Sequence, residues 1–297
     1  MNSLIVLNYN DADTTIRFLK MAKSLPHIGK IVVVDNKSTD GSFEILRANK
    51  DDNVDVIQTK YNGGYARGNN FGAYYAIEKY SPDILVIANP DVGFSDDVIY
   101  KFEEILTKTD NVAAVTCKMK CLSGIDLPDA WKLPRYSDCI LEQLLLLRRL
   151  IGNRTKYSED YFAKNPLAKV DVVPGSLFAI KSDVFKSLGG FDESTFLYQE
   201  ENLLAAKIKR HGLSSYLVTG MTYLHMHSVS INKNTSGVYR RLKLAYTSRK
   251  VYCDKVLGIG YIKELILAVT FYIGAFNYLI AKALIHKFKN NDVEDKR

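Results

Sequence analysis

Short apolar runs alternate with amphipathic segments over the first 120 residues, and this alternation constrains the fold more than any other feature of the sequence. Each run is bounded by turn residues and has the length of a buried strand, while the segments between them carry apolar residues at helical spacing. Strands joined by helices predict a doubly wound, mostly parallel α/β sheet. The predicted strands are 3–9, 30–36, 54–59, 83–89 and 111–119, and the predicted helices between them are 14–25, 40–49, 66–80 and 95–108.

The pattern becomes less regular after residue 121. An amphipathic helix is predicted at 140–152, and a strand, a helix and a Gly-Gly turn follow over 170–193. The segment 196–212 reads as a helix ended by a glycine. Two short strands are predicted within 216–228.

Polar residues stand where three of the predicted strands end. Asn8 closes the first strand, Asp35 the second, and Asn89 and Asp91 follow the fourth in the stretch ILVIANPDV. Ligands bind at the carboxyl ends of strands in such sheets, so these side chains are expected on one rim. Asp91 and Asn89 offer hard oxygen ligands, which suit magnesium or manganese. Taken alone, Asp35 is as consistent with a helix cap or a turn residue as with a functional group.

A glycine-rich segment, NGGYARGNN, occupies residues 62–70. Glycines let a loop approach a phosphate or a sugar closely, and Arg67 can pair with phosphate. The segment lacks the G-x-G-x-x-G spacing and does not follow the first strand, which disfavours a Rossmann cofactor site. A plain glycine-rich turn is the alternative.

Two later stretches carry titratable residues. YQEEN places Glu200 and Glu201 at a helix start, where the helix dipole alone favours acidic residues. The apolar FLY before them could desolvate one carboxylate and raise its pKa, as suits a general base. LHMHS places His225 and His227 on the same side of a strand; a buried, hydrogen-bonded histidine is commoner than a metal ligand.

Charge and cysteine content bear on compartment and partners. The net charge is +7, and residues 236–297 carry all of it, with 12 Lys and Arg against 5 Asp and Glu. The four cysteines form no zinc pattern and fit reduced thiols in a reducing compartment. The N-terminus lacks the basic start of a signal peptide and resembles a first core strand. These features predict a cytoplasmic catalytic part.

The most apolar stretch is 264–289, in which 265–281 carries no charge. A spanning helix needs about 20 apolar residues, so this stretch is short for spanning. A helix lying in the membrane interface fits better, because lysines flank the stretch. A helix packed on the core or buried in a homodimer is the alternative. The flanking lysines are Lys263, Lys282, Lys287 and Lys289.

Taken together and in order, these motifs resemble the family 2 glycosyltransferases, which have the GT-A fold, and in particular the rhamnosyltransferase-like branch of capsule and O-antigen synthesis. The resemblance runs from Ser3 to Ser230 and rests on LNYN, VVVDNKSTDGS, NGGYARGNNFG, NPDV, GGFDESTFLYQEE and HMHSVS. It implies a GT-A catalytic domain at 1–235, with a nucleotide-sugar half at 1–120 and an acceptor half at 121–235. A basic, apolar, helical C-terminal region then occupies 236–297.

The resemblance also implies roles for individual residues. Asp35 would contact the nucleotide base or ribose, and Asp91 would be the retained metal ligand, with Asn89 replacing the first carboxylate of the usual Asp-x-Asp. His225 would complete the metal site, with His227 as its competitor. The donor-binding residues implied are Asn8, Tyr9, Asp35, Asn62, Gly63, Gly64, Arg67 and Asn89.

The reaction implied is an inverting transfer. Glu201 would be the catalytic base in place of the usual Asp, with Glu200 beside it. Gly175 and Ser176 would lie on the acceptor side, with Trp131 and the Gly189–Gly190 turn as weaker candidates.

The partners implied are a UDP- or dTDP-linked sugar and a lipid-linked glycan acceptor, with the enzyme peripheral on the inner face of the cell membrane and no nucleic acid. A nucleotidyltransferase is one competing interpretation, but it should have a glycine-rich basic loop after the first strand, and LNYNDADTT has none. A non-catalytic member of the same fold is the other, because Asn89 and Glu201 depart from the family pattern.

Overall fold

A computed structural model describes residues 1–122, 124, 127–226 and 237–294 of the chain. These residues form two compact units. The first comprises Met1–Leu133 and Lys156–Thr235, and the second comprises Pro134–Thr155 and Ser236–Arg297. His227 lies outside the described residues.

The first unit is built on a mixed, mostly parallel sheet that has nine strands within the described ranges. The strands are β1 (Asn2–Asn8), β2 (Lys30–Asp35), β3 (Val54–Gln58), β4 (Ile84–Ala88), β5 (Val92–Gly93), β6 (Val112–Cys121), β7 (Leu167–Val170), β8 (Leu177–Lys181) and β9 (Ser214–His225). Their spatial order is β3-β2-β1-β4-β8-β6-β9-β5, and β7 pairs with β9. Strands β1 to β4 are parallel to one another, as predicted, whereas β8 runs antiparallel between β4 and β6.

Helices cover both faces of this sheet. The described helices are α1 (Ala12–Ala22), α2 (Ser42–Arg47), α3 (Gly64–Tyr80), α4 (Asp96–Lys108), α5 (Tyr136–Leu141), α6 (Leu145–Ile151), α7 (Glu159–Lys164), α8 (Ser182–Ser187), α9 (Glu200–Arg210), α10 (Val238–Leu257) and α11 (Tyr261–Glu294). Because side chains alternate along a strand, Val6 enters one apolar cluster with Phe102 of α4, and Ile5 enters the other with Ala73 of α3. A sheet buried on both faces explains why the strand sequences are continuously apolar.

Two sequence predictions differ from the structure. The two short strands predicted within 216–228 are one strand, β9, which keeps pairing with β6 through a register shift after Cys117. The bulge absorbs the extra residues, so the strand does not have to end. The single helix predicted at 140–152 is interrupted between α5 and α6. Gln143 in this interruption directs its amide to α11, donating to Leu267 O at 3.1 Å and to Thr270 Oγ1 at 2.9 Å.

The second unit consists of α5, α6, α10 and α11. Residues 134–155 group with it, although the sequence pattern placed them in the acceptor half of the catalytic domain. The physical reason is the apolar side of α5, which is buried in this unit together with Tyr252 of α10 and Leu267 of α11. Tyr252 also donates from its hydroxyl to Pro134 O at 2.8 Å. The division of the catalytic domain into donor and acceptor halves stays a prediction.

Helix α11 has an apolar side that is exposed in the described part of the chain. Leu267 and Phe271 are buried, whereas Ile262, Tyr272 and Phe276 are more than half exposed. The stretch Tyr261–Lys282 has a mean hydropathy of 1.6, and 22% of its most apolar window is buried. By length and composition it could cross a membrane, which goes beyond the interfacial helix predicted from the sequence.

Candidate functional site

The strand-end residues lie along one rim of the sheet. Asn8 and Asp35 are in register as the last residues of β1 and β2. Ala88, the last residue of β4, is level with Val6 of β1, so Asn89 and Asp91 leave the sheet at the same edge. The parallel order of β2, β1 and β4 therefore brings to one edge polar residues that lie in three separate parts of the sequence.

Asp35 is completely buried, and both of its carboxylate oxygens are occupied. Oδ1 accepts a hydrogen bond from Asn8 Nδ2 at 3.0 Å, and Oδ2 accepts from Ser38 N at 3.0 Å and from Gln58 Nε2 at 2.9 Å. Asn8 is equally buried, and its Oδ1 accepts from Thr15 Oγ1 at 2.9 Å. This network fixes the ends of β1 and β2. Direct contact of Asp35 with a nucleotide would require exchange of one of these bonds, and it stays a prediction.

The glycine-rich segment is fastened to the rim by Asn36, a residue that sequence reasoning missed. Asn36 is buried and donates from Nδ2 to Asn62 Oδ1 at 2.9 Å and to Gly64 O at 3.1 Å. Asn62 Oδ1 also accepts from Gly64 N at 3.0 Å. Its place directly after Asp35 at the end of β2 was the available signal, because the side-chain amide of such a residue can reach the neighbouring loop.

Gly64 begins α3 and must be glycine. Its φ is +84°, and a Cβ added there would lie 1.9 Å from Phe196 O. The backbone N–H of Tyr65 donates to the same carbonyl oxygen at 3.1 Å. The glycine-rich segment therefore touches the turn that leads into the Glu200–Glu201 pair. Gly63 is crowded only by the flexible side chain of Arg67.

Arg67 is held by two contacts but stays open to solvent. Its guanidinium carbon lies 4.6 Å from the centre of the Tyr61 ring, and Nη1 lies 3.6 Å from Glu193 Oε2. The side chain is 47% exposed. An arginine in this position can form charge-assisted hydrogen bonds to an incoming phosphate in exchange for the long contact with Glu193.

Asp91 and His225 converge at the far end of the same rim. His225 Nε2 lies 3.4 Å from Asp91 Oδ1, and both side chains are mostly buried. Strand pairing produces the proximity: His225 is opposite Val92, and Met226 N donates to Asp91 O at 2.9 Å.

Asp91 and His225 fit a cation site that is completed by water and substrate, rather than a site in which protein side chains supply every ligand. Within the described residues no third His, Cys, Asp or Glu joins the two to make a cluster of three. Magnesium and manganese sites commonly take one or two protein ligands and complete the shell with water and substrate phosphates. The pair therefore fits a divalent cation that a diphosphate would help to coordinate.

The carboxylate pair follows two residues in a strained conformation. Tyr198 and Gln199 have φ values of 75° and 73°, which non-glycine residues rarely adopt. Such strain concentrates at functional sites. The residues that follow, Glu200 and Glu201, lie inside the fold rather than on a solvated helix end.

The two glutamates have different surroundings. Glu200 is 3% exposed, and its Oε1 has no hydrogen-bond partner among the described residues. Burial, reinforced by the charge of Glu201, raises the pKa of Glu200 to about 8. Glu201 is half-buried, and its Oε1 accepts from Gly175 N at 3.3 Å. Burial also raises the pKa of Glu201.

Gly175 and Ser176 connect the carboxylate pair to the metal side of the rim. Gly175 donates to Glu201, and the next residue, Ser176, accepts from Asn89 N at 2.9 Å through its backbone carbonyl. The Ser176 hydroxyl is buried against Tyr223, with 2.6 Å between the oxygens. Through these contacts Ser176 holds the backbone of Asn89 in place. Contact of Gly175 or Ser176 with an acceptor stays a prediction.

Two aromatic residues flank the carboxylates. Trp131 donates from Nε1 to Asn202 Oδ1 at 2.7 Å, which ties it to the first turn of α9. Tyr65, which sequence reasoning missed, donates from its hydroxyl to Gly175 O at 2.6 Å. Burial, followed by the charges of Glu201 and Glu200, raises the pKa of Tyr65 well above its ordinary range. The Gly189–Gly190 turn is anchored on Asn70, whose Oδ1 accepts from Phe191 N at 2.8 Å.

Three curated relatives cover most of the chain. The hexosyltransferase Agl10 of low-salt glycan biosynthesis from Haloferax volcanii is 24% identical over 212 residues, which are 71% of this chain and 62% of that relative. The chain thus spans about three fifths of that relative's length. The rhamnosyltransferase WbbL from Escherichia coli K12 is 23% identical over 229 residues, 75% of this chain and 82% of WbbL. An N-acetylglucosaminyl-diphospho-decaprenol L-rhamnosyltransferase from Mycobacterium tuberculosis is 23% identical over 252 residues, 78% of each chain.

Solved structures share the fold. The mannosyltransferase PcManGT from Pyrobaculum calidifontis, in complex with GDP-Man and Mn²⁺, superimposes with a TM-score of 0.57 at 19% identity, over 95% of this chain and 75% of that one. TarS 1–349 from S. aureus with UDP-GlcNAc gives 0.55 at 14% identity, over 93% and 73%. The model of the family described as "Glycosyl transferase family 2" matches residues 3–186. The chain belongs to glycosyl transferase family 2 and is a glycosyltransferase with the GT-A fold.

Proposed function

We propose that this glycosyltransferase moves a sugar from a nucleoside diphosphate sugar to a hydroxyl group of a glycan acceptor, with inversion at the anomeric carbon. The observation that carries the proposal is the Gly175–Ser176 connection. One of these residues bonds the carboxylate of Glu201 and the next bonds the backbone of Asn89. A candidate base and a candidate diphosphate site are thus linked through two consecutive residues.

The donor would lie along the rim between the glycine-rich segment and Asp91. The positive end of the α3 dipole would favour a diphosphate, and Arg67 adds a positive charge. Asp91 and His225 would hold a divalent cation, manganese or magnesium, which neutralises charge on the departing diphosphate when it is bound. A UDP- or dTDP-linked sugar is the expected donor.

Glu201 is the better candidate for the base. Its carboxylate is bonded to the Gly175 peptide at the cleft, whereas Glu200 is almost fully buried. Glu201 would take the proton of the acceptor hydroxyl while the acceptor oxygen forms the new bond to the anomeric carbon. The bond from that carbon to the diphosphate breaks on the opposite face, and the diphosphate leaves with the electron pair. Glu200, protonated below about pH 8, would keep a second negative charge away from the base.

We further propose a lipid-linked acceptor and a place on the inner face of the cell membrane. The mycobacterial relative is named for a diphospho-decaprenol-linked acceptor, which supports a lipid-linked acceptor here. The exposed apolar side of α11 and the +7 charge of residues 236–297 support contact with an anionic membrane surface. Surface polysaccharide synthesis, such as that of O-antigen or capsule, is the process that would combine these features.

The test measures transfer and donor binding separately, with a panel of UDP- and dTDP-linked sugars and manganese. We expect Glu201→Gln to retain the thermal shift produced by the donor but to lose transfer by about a thousandfold, the scale of a positioned general base. Glu200→Gln is the matched control and should lose far less. Equal activity of wild type and Glu201→Gln, or no thermal shift with any donor, would overturn the proposal.

A further inference from the structure

Tyr65 touches both the donor side and the base side of the cleft. It is the second residue of α3, directly after the glycine-rich segment. Its backbone N–H donates to Phe196 O at 3.1 Å, in the turn before α9, and its hydroxyl donates to Gly175 O at 2.6 Å. The N–H of Gly175 then donates to Glu201 Oε1 at 3.3 Å. One tyrosine therefore holds the approach to α9 and the backbone of the residue that bonds Glu201.

The space around this contact leaves little freedom. A Cβ added at Gly175 would lie 2.9 Å from Tyr65 Oη and 2.9 Å from Glu201 Oε1. The Tyr65 ring packs edge-on against Phe191, with 5.6 Å between the ring centres. Ring packing thus fixes the Tyr65 hydroxyl. The side chains of Tyr65 and Glu201 both lie so close to Gly175 that a larger residue would not fit there.

We infer that Tyr65 is a positioning residue for the transfer reaction, which holds the backbone of Gly175 by its carbonyl group so that the Gly175 N–H orients the carboxylate of Glu201. This inference rests on the proposed function, in which Glu201 is the base. It also links the two halves of the reaction, because the residue that sets the base belongs to the helix whose N-terminus would receive the diphosphate. A donor that orders the start of α3 would align the base through the same side chain.

The role differs from a general contribution to stability in its effect on pH dependence. The Gly175 N–H stabilises the charged carboxylate of Glu201, so a looser peptide should raise the pKa of that carboxylate. The acid limb of kcat/KM reports the base of the free enzyme and should move to higher pH. Among the described residues, the titratable groups facing Glu201 are Glu200 and Tyr65 itself, and the limb therefore belongs to the coupled glutamate pair.

The experiment compares Tyr65→Phe with Tyr75→Phe in the full chain. Tyr65→Phe keeps the ring against Phe191 and removes only the hydroxyl. Tyr75→Phe removes a hydroxyl from the same helix, one that donates to Asp55 at 2.9 Å away from the cleft. We expect Tyr65→Phe to lower kcat about tenfold, to change the donor KM by less than about twofold and to move the acid limb upward. Tyr75→Phe should leave kcat and the limb unchanged.

Gly175→Ala provides a second variant in case Tyr65→Phe does not fold. Its new methyl group approaches the same contact from the peptide side, and the same fall in kcat and the same shift of the limb are expected. A tenfold fall in kcat with an unmoved acid limb would reduce Tyr65 to a structural residue and overturn the inference, as would wild-type kinetics. The proposed function fails separately, through full activity of Glu201→Gln.

Discussion

Asp55 is the buried carboxylate that ties β3 to the far end of α3, the helix whose first turn carries Gly64 and Tyr65. Its side chain is 5% exposed. It accepts hydrogen bonds from Lys79 Nζ at 2.6 Å, from Tyr75 Oη at 2.9 Å and from the hydroxyl of Tyr80. Removing this charge should therefore loosen α3 and destabilise the first unit.

The pKa of Asp55 gives the size of the effect. Burial by itself would raise this pKa, but the hydrogen bonds from Lys79, Tyr80 and Tyr75 outweigh it and lower the pKa from 3.8 to about 2. At 1.36 kcal/mol for each pKa unit, the difference corresponds to about 2 kcal/mol of folding free energy. The folded pKa is lower than the unfolded one, so this stabilisation is complete above about pH 4 and is lost as the pH falls toward 2.

Urea unfolding of Asp55→Asn and wild type at several pH values checks the estimate of stabilisation. We expect the variant to be less stable by about 2 kcal/mol at pH 7, and the difference to shrink between pH 4 and pH 2 because the wild-type carboxylate becomes protonated. Asp51→Asn is the control: its ion pair with Lys23 is largely exposed and should be worth less than about 1 kcal/mol. A loss below about 0.5 kcal/mol at pH 7, or one that is equally large near pH 2, would refute the reasoning.

Two further predictions concern the metal and the membrane. Asp91→Asn should abolish the manganese-dependent part of the thermal shift produced by UDP or dTDP while the protein stays folded; an unchanged manganese effect would contradict the cation site. The double variant Tyr272→Ser and Phe276→Ser, on the exposed side of α11, should reduce co-sedimentation with anionic vesicles by about tenfold or more, since each aromatic ring buries a large apolar area. Ile45→Ser, at an exposed apolar residue of α2, should have no effect, and a wild-type chain that stays in the supernatant would contradict the membrane contact.

Sequence patterns were enough to predict β1 to β4, β6 and the helices between them in residues 1–120, together with the rim at which the polar residues meet. The reason is local: an apolar run bounded by turn residues has few conformations that bury it, and parallel strands bring their carboxyl ends to one edge. The sequence therefore predicts that edge for Asn8, Asp35, Asn89 and Asp91, where β1, β2 and β4 end. The ordered motifs also indicated the family, which the match over residues 3–186 confirms.

Which of these groups are free to act depends on contacts between distant chain segments. Asp35 is saturated by partners from three other chain segments, and no sequence pattern reports such a network. The environments of Glu200 and Glu201 depend on Gly175, which lies 26 residues before Glu201, and on Tyr65, which lies much earlier in the sequence. Burial and hydrogen bonding across long sequence separations set the pKa of a carboxylate, whereas the sequence shows only that two carboxylates are adjacent. The same holds for residues 134–155, which join the C-terminal helices because their apolar side is buried there.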